Sequence, residues 1–502
     1  MKSKTPIVFL IALAATFALG LLASSIMERR AEARHVNATV APRPTSGYES
    51  RNSQWAAAYP RQYETLRDTR DMSFTPPLVG AHGLDALREN PRQVILWAGY
   101  AFSKDYNHPR GHAYAVEDVR ATLRTGAPMK AGEGPQPASC WVCKSPDVPR
   151  LMSAMGVDEF YKKQWSDLGG EITNHIGCAD CHEPKTMQLT ITRPHLVAAY
   201  KAATGRDITT ASHQEMRSLV CAQCHVEYYF DKKTVPGGQV VTLPWKHGFS
   251  IEDAEKYYDG IGFTDYVNTI SKTPILKAQH PDYELWRMGI HGQRGVSCAD
   301  CHMPYTADGS QKFSSHHVQS PLADTSKSCQ VCHRQNADEL VKNVTDRQRA
   351  ILGMMERIET ELVHAHFEAR AAWDAGASES EMAPILQLIR QAQWRWDYVA
   401  ASHGAGFHAP LECARILDAG LGRAASARLQ LARVLAAHGK NAPVALPDIS
   451  TKESAQKYLG IDIAKERAAK AEFIKTVVPQ WLENARSKGT LDEAPSAQNK
   501  RF

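Results

Sequence analysis

Five pairs of cysteines, each separated by two residues and followed at once by a nitrogen base, run through this 502-residue chain. They read Cys140-Trp-Val-Cys143-Lys144, Cys178-Ala-Asp-Cys181-His182, Cys221-Ala-Gln-Cys224-His225, Cys298-Ala-Asp-Cys301-His302 and Cys329-Gln-Val-Cys332-His333. Two thiols at that spacing add across the two vinyl groups of one porphyrin, and the next residue is placed beneath the iron as an axial ligand. Ten of the eleven cysteines are used this way, and only Cys413 stands apart. Zinc sites assembled from Cys-x-x-Cys pairs would leave the adjacent His and Lys residues without a role. Structural disulfides and thioredoxin-type redox pairs do not call for four following histidines. The spacing predicts five covalently bound haems c.

Four of these haems take a proximal histidine, and low-spin electron-transfer haems need a second axial ligand, most often His or Met. The chain has 21 histidines, so supply does not limit bis-histidine ligation, although spacing alone does not pair them. Lys144 is the discriminating residue. An amine binds iron only when neutral, so coordination and burial must overcome an ordinary lysine pKa of about 10.4. A lysine-held haem differs from the other four, which implies that four irons conduct and one reacts, with an open face for a small molecule.

The surrounding sequence must position these groups. Lys2 and Lys4 precede an uncharged run from Pro6 to Met27, 22 residues or roughly 33 Å as a helix, enough to cross a bilayer. The length favours a retained anchor and Ala31-Glu32-Ala33 offers a small-residue cleavage site, so residues 1–33 read as a signal peptide or a membrane anchor. Either way the body is exported to the periplasm, free or held at the inner membrane. Residues 34–60 read as a polar lead-in. From 61 to 335 the chain is rich in short segments, Gly and Pro, as expected where haems replace side-chain packing. The motifs begin at 140, 178, 221, 298 and 329, too unequally spaced for a solenoid repeat, and the interval of 77 residues after Cys221 is long enough to hold something besides haem attachment. Residues 336–490 carry helical periodicity over Glu339–Asp374, Ser378–Ser402, Leu411–Ala437 and Ser454–Lys488, suited to packing and subunit contact, and 491–502 form a polar tail. The fold class expected is mainly α, a compact multihaem core with few short strands. The formal net charge of +5 omits haem propionates and carries no nucleic-acid inference.

The Cys140-Trp-Val-Cys143-Lys144 motif followed by four Cys-x-x-Cys-His motifs resembles the ammonia-forming cytochrome c nitrite reductases, over about residues 60 to 440. Cys221-Ala-Gln-Cys-His-Val-Glu-Tyr-Tyr-Phe230 and Leu276-Lys-Ala-Gln-His280 look like that family's active-site signatures. The resemblance implies nitrite bound at the lysine-ligated haem, with Arg124, Tyr228 and His280 around it. A guanidinium and an imidazole aimed at the oxygens would stabilise N–O cleavage, and His280 is the proton donor because imidazole exchanges protons near neutral pH. It further implies one calcium ion held by Glu227, the carbonyls of Tyr228 and Lys277, and Gln279, all oxygen donors as a hard cation requires.

The distal ligands implied are His112 opposite His225, His317 opposite His182, His408 opposite His302 and His291 opposite His333, with His316 and His403 as the neighbouring residues where a slip would fall. The implied reaction is the six-electron reduction of nitrite to ammonium, in a homodimer fed by a quinol-oxidising multihaem cytochrome or a soluble multihaem carrier. The competing readings are a non-catalytic pentahaem electron-transfer cytochrome and a related multihaem reductase of sulfite or hydroxylamine. Lys144 and the cluster Glu227-Tyr228 with Lys277 to His280 argue against the first.

Overall fold

The computed structural model describes residues 5–39, 47–80, 82–309 and 311–492. Most of the polar lead-in before residue 47 and the tail beyond 492 lie outside them. One helix runs Thr5–Thr39, and within it Val8–Ala31 is apolar for 24 residues, long enough to cross a bilayer. That apolar stretch packs against nothing in the chain. Its length, composition and exposure are those of a signal or anchor segment and are compatible with export.

The region that carries the cysteine pairs is built from short pieces, as expected of a mainly α multihaem fold. Its helices rarely exceed ten residues, and its strands form three two-stranded antiparallel hairpins: Tyr229–Asp231 with Val240–Thr242, Tyr266–Val267 with Pro274–Ile275, and Tyr305–Asp308 with Gln311–Ser314. Helices this short are marginal alone, so their ends are tied down. Reciprocal side-chain caps join Ser212 to Glu215, Ser250 to Asp253 and Ser297 to Asp300, each worth about 1 kcal/mol. The last of these opens the one-turn helix Cys298–His302, which is itself a haem motif.

Three long helices, Ala337–Asp374, Glu379–Ala400 and Pro410–Ala437, pack on one another and close the second half of the fold. Trp394 and Trp396 are fully buried among them, and Trp396 Nε1 donates to Glu359 Oε1 at 2.8 Å. The fourth helical segment, expected as one piece over Ser454–Lys488, is two helices, Lys452–Tyr458 and Ile463–Ser487. Gly460 breaks it with φ +69°, a left-handed conformation that stops a helix, and Asp462 then caps the second piece by accepting from Lys465 N at 3.0 Å.

That last helix folds back across the half that carries the cysteine pairs. Lys470 Nζ, buried and pushed down to about 8 by loss of solvent, donates to Arg120 O at 3.1 Å and Thr125 Oγ1 at 3.0 Å. Lys104 pairs with Glu466 at 2.6 Å beside it. The segment between Arg120 and Thr125, which carries Arg124, is thus braced from the chain's far end.

The long helices approach closely at Gly420, where an added Cβ would lie 2.5 Å from Ile358 Cδ1 and 3.1 Å from Arg395 Cβ. Gly420→Val should cost about 1–3 kcal/mol by overpacking, read as a lower urea midpoint for loss of helical circular dichroism. An unchanged midpoint would show that the helices are not closely packed there.

Candidate haem cradle and active site

All five cysteine pairs face one continuous cavity of about 2210 Å³, and the Lys or His after each pair lines it as well. Their order within it follows from the cysteines. Cys143 lies beside Cys224 and Cys221 beside Cys298, while Cys181 is within electrostatic reach of both Cys221 and Cys224, and Cys301 of Cys329. The site built on Cys221 and Cys224 therefore sits between the others as a hub.

Three of the motif residues that no vinyl group needs have structural work. In both Cys-Ala-Asp-Cys motifs the aspartate anchors an arginine: Asp180 Oδ1 accepts from Arg193 at 2.5 Å in a buried pair, and Asp300 Oδ1 from Arg217 at 2.9 Å. Gln223, inside the third motif, accepts from Thr192 N and Arg193 N and donates to Asp180 O, locking the second motif to the third.

The histidines are oriented as metal ligands require. His182 Nδ1 and His302 Nδ1 donate to the carbonyls of Met187 (2.8 Å) and Gln319 (2.9 Å), and His225 Nδ1 donates to Asp282 Oδ2 at 3.2 Å. Because each acceptor lacks a proton to give, these bonds fix the tautomer and leave Nε2 with its lone pair free for iron. Opposite the four proximal histidines stand four others at matching separations. Ring centres are 6.3 Å apart for His112 and His225, 6.2 Å for His182 and His316, 6.3 Å for His302 and His408, and 6.2 Å for His291 and His333. Two metal–imidazole bonds of about 2 Å each, together with the rings' own half-widths, give roughly 6 Å. Burial pushes His112 down to about 3 and His316 and His408 down to about 4, so all three present neutral rings.

One pairing differs from the expected set. His316, not His317, faces His182 and lines the cavity, its Nδ1 turned back to Ser314 O at 2.9 Å. His317 is turned aside, within electrostatic reach of Asp68 and Asp71. Side chains of adjacent residues outside a helix diverge, so a one-residue slip reverses which of the two reaches the cavity.

Lys144 lines the cavity, and no carboxylate pairs with its side chain among the described residues. Arg124, Tyr228 and His280 line the same space. Arg124 is held by Nε donating to Thr122 Oγ1 at 3.2 Å and by stacking on Phe102, 4.2 Å from the ring centre, and likewise has no carboxylate partner. Gln136 ties its backbone to the first motif, donating to Arg124 O at 3.0 Å while accepting from Cys140 Sγ at 3.1 Å. Tyr228 and His280 have ring centres 6.5 Å apart, and burial raises the Tyr228 phenol well above its ordinary value. His280 is held well below its usual value, first by burial and then by His403, on which it stacks at 5.0 Å.

The oxygen cluster lies behind Tyr228. Glu227 Oε2 accepts from Gln279 N at 2.6 Å and Oε1 from Tyr258 at 2.9 Å, while Gln279 Nε2 donates to Lys277 O at 3.2 Å. Lys277's own ammonium is turned away to Asp397 at 2.8 Å. Burial pushes Glu227 well up, Asp265 up to about 7 and Glu284 up to about 8. Carboxylates and carbonyls gathered here are oxygen donors of the kind a calcium ion takes.

Asp282 and His403 were not singled out by sequence reasoning as a pair. His403 Nδ1 donates to Asp282 Oδ2 at 2.9 Å, and with His225 they form a triad whose polar atoms lie within 4.8 Å. The nitrogens face the carboxylate as donors to an acceptor, so the triad is a hydrogen-bond network. Its only sequence signal is that Asp282 follows His280 by two residues.

A mainly helical chain wrapped around haem-attachment motifs in one cavity has the fold of the multihaem c-type cytochromes. The family profile of cytochrome c552 matches residues 51–491, and the chain belongs to that family. It is 55% identical to cytochrome c-552 of Porphyromonas gingivalis over 490 residues, 97% of this chain and 96% of that one. It is 57% identical to cytochrome c-552 of Bacteroides fragilis over 482 residues, 96% of each. Among solved structures it resembles the catalytic subunit of cytochrome c nitrite reductase from Desulfovibrio desulfuricans, described with two calcium sites, at TM-score 0.71 and 31% identity over 83% of this chain and 90% of that one.

The His316 geometry makes a direct prediction. His316→Ala should convert one haem of the purified protein from low to high spin, seen in the ferric optical and EPR spectra, whereas His317→Ala should leave them unaltered. The reverse pattern would restore His317 as the ligand.

Proposed function

We propose that the protein is an oxidoreductase, a nitrite reductase that takes nitrite to ammonium with six electrons and eight protons, releasing both oxygens as water. Five haems c are carried, one on Cys140, Cys143 and Lys144 as the reactive centre and four between paired histidines as its electron supply. The observation that carries this reading is that Arg124, which has no carboxylate partner among the described residues, lines one cavity with Lys144, Tyr228 and His280. Such a place rewards a small anion. The resemblance of the whole chain to a cytochrome c nitrite reductase points the same way.

A haem bound at Cys140 and Cys143 would supply electrons and an open coordination position for the substrate nitrogen. The chain's residues do the rest. Lys144 would hold that haem as a neutral amine. The Arg124 guanidinium, fixed by Thr122 and Phe102, meets negative charge on the nitrite oxygens as it grows during N–O cleavage. His280 delivers protons from its place beside Tyr228, a transfer that an imidazole can make and a guanidinium cannot, and the negative charge of a bound anion would offset the burial that holds its ring neutral. Tyr228 fixes the substrate's orientation from the wall beside His280. Glu227, Gln279 and the carbonyls of Tyr228 and Lys277 hold one calcium ion, whose charge would quiet the buried acids and favour an anionic substrate.

The protein works in the periplasm, tethered to the inner membrane when the Val8–Ala31 helix is retained, as a homodimer with contacts through the long helices. Its donor is a multihaem cytochrome, either quinol-oxidising in the membrane or soluble.

Ammonium formed from nitrite by the fully haem-loaded protein with reduced viologen tests the function; no turnover would leave an electron-transfer cytochrome. His280→Asn should preserve haem content and spectra and lower nitrite turnover by about 10²–10⁴-fold; undiminished turnover would remove it as proton donor. Lys144→His should keep the haem attached and change its spin state, and an unchanged spectrum would refute lysine ligation.

A further inference from the structure

The proximal histidines differ in what holds their second nitrogen. His182 and His302 give Nδ1–H to neutral backbone carbonyls, Met187 O at 2.8 Å and Gln319 O at 2.9 Å. His225 gives it to a carboxylate, Asp282 Oδ2, at 3.2 Å. Asp282 is 6% exposed and is held from both sides: Oδ1 accepts from Ser402 Oγ at 2.8 Å and Gly404 N at 3.2 Å, and Oδ2 also accepts from His403 Nδ1 at 2.9 Å. Its ion pairs are with His225 and His403, and no lysine or arginine pairs with it among the described residues.

We propose that Asp282 is a positioning residue that sets the reduction potential of the haem on Cys221 and Cys224, holding it lower than a neutral acceptor at the same place would. The inference rests on the reading that His225 ligates that haem. An anionic acceptor draws the Nδ1 proton and makes the imidazole a stronger donor through Nε2, which stabilises ferric iron. The carboxylate's charge acts in the same direction, because the ferric state carries one more positive charge and the interior screens it weakly. Position gives the effect its use. The Cys221–Cys224 site is the hub, with Cys224 beside Cys143 of the lysine site and Cys221 beside Cys298. A hub of lowered potential is the stronger reductant towards the neighbouring iron, so electrons leave it readily for the reactive site. The same carboxylate holds His403 against His280 at 5.0 Å, so one residue sets both the electron relay and the wall behind the proton donor.

Anaerobic spectropotentiometric titration of the intact holoenzyme tests this, once mass measurement has shown the same haem load in wild type and variants. In Asp282→Asn one component should shift positive while the other haems stay in place, and Asp282→Glu should return it towards the wild-type value. No shift, or a common shift of all components, would overturn the proposal. Should Asp282→Asn fail to acquire its haems, Ser402→Ala decides: removal of one donor leaves more charge on the carboxylate, so the same component should move negative, and an unmoved titration overturns the idea. Lost nitrite turnover with unshifted potentials would also overturn it while leaving the proposed function intact. A holoenzyme that shows the shift but never reduces nitrite would do the opposite.

Discussion

An amine can grip iron only after giving up its proton, and Lys144 is the amine that follows the first cysteine pair. No carboxylate reaches its side chain among the described residues, and the cavity it lines is shared with the Arg124 guanidinium. Several buried cations in this chain are met by anions, Arg193 by Asp180, Arg395 by Glu255, Lys277 by Asp397 and Lys452 by Asp85, whereas Arg120 and Lys470 rest on carbonyls and a hydroxyl. In the proposed reading, the division between one reactive site and four conducting ones depends on the single amine of Lys144.

The rest of the architecture serves to keep the five cysteine pairs in register around one cavity. Short capped helices and three small hairpins do not form a conventional core around the motifs, and the apolar packing is instead divided between the long-helix cluster and the walls near Trp141, Trp165 and Phe473. The last helix ties these two parts together through Lys470, Lys104 and Glu466, next to the turn that aims Arg124. Precision at the anion site is therefore supplied by residues some 350 positions away in sequence. The triad around Asp282 has the same character, joining Ser402 to Gly404 with the helix that follows His280.

What the sequence made legible was the chemistry that fixes spacing. Covalent attachment demands Cys-x-x-Cys and a following base, so the cradle could be read directly, and helical periodicity located the long C-terminal elements because they pack on one face. The fourth of those helices was read through Gly460, since periodicity resumes on both sides of the break. His316 and His317 are chemically identical and adjacent, and only the local path of the backbone decides which ring reaches the cavity. Asp282 was invisible for another reason: an aspartate that serves a ligand from behind has no required spacing from it, and here 57 residues separate Asp282 from His225. Asp180 and Asp300 lie in positions that attachment leaves free, so their anchoring of Arg193 and Arg217 could not be inferred from the motif.

The central claim is that one iron, on Lys144, keeps a face open while the other four are closed by paired imidazoles. Titrating the ferric holoprotein with cyanide or nitrite and counting responding haems by magnetic circular dichroism tests it most directly. The account predicts that one haem in five changes ligation, and that Lys144 variants alter that haem alone. A protein in which every haem ignores the added anion, each already held by two side chains, would contradict it.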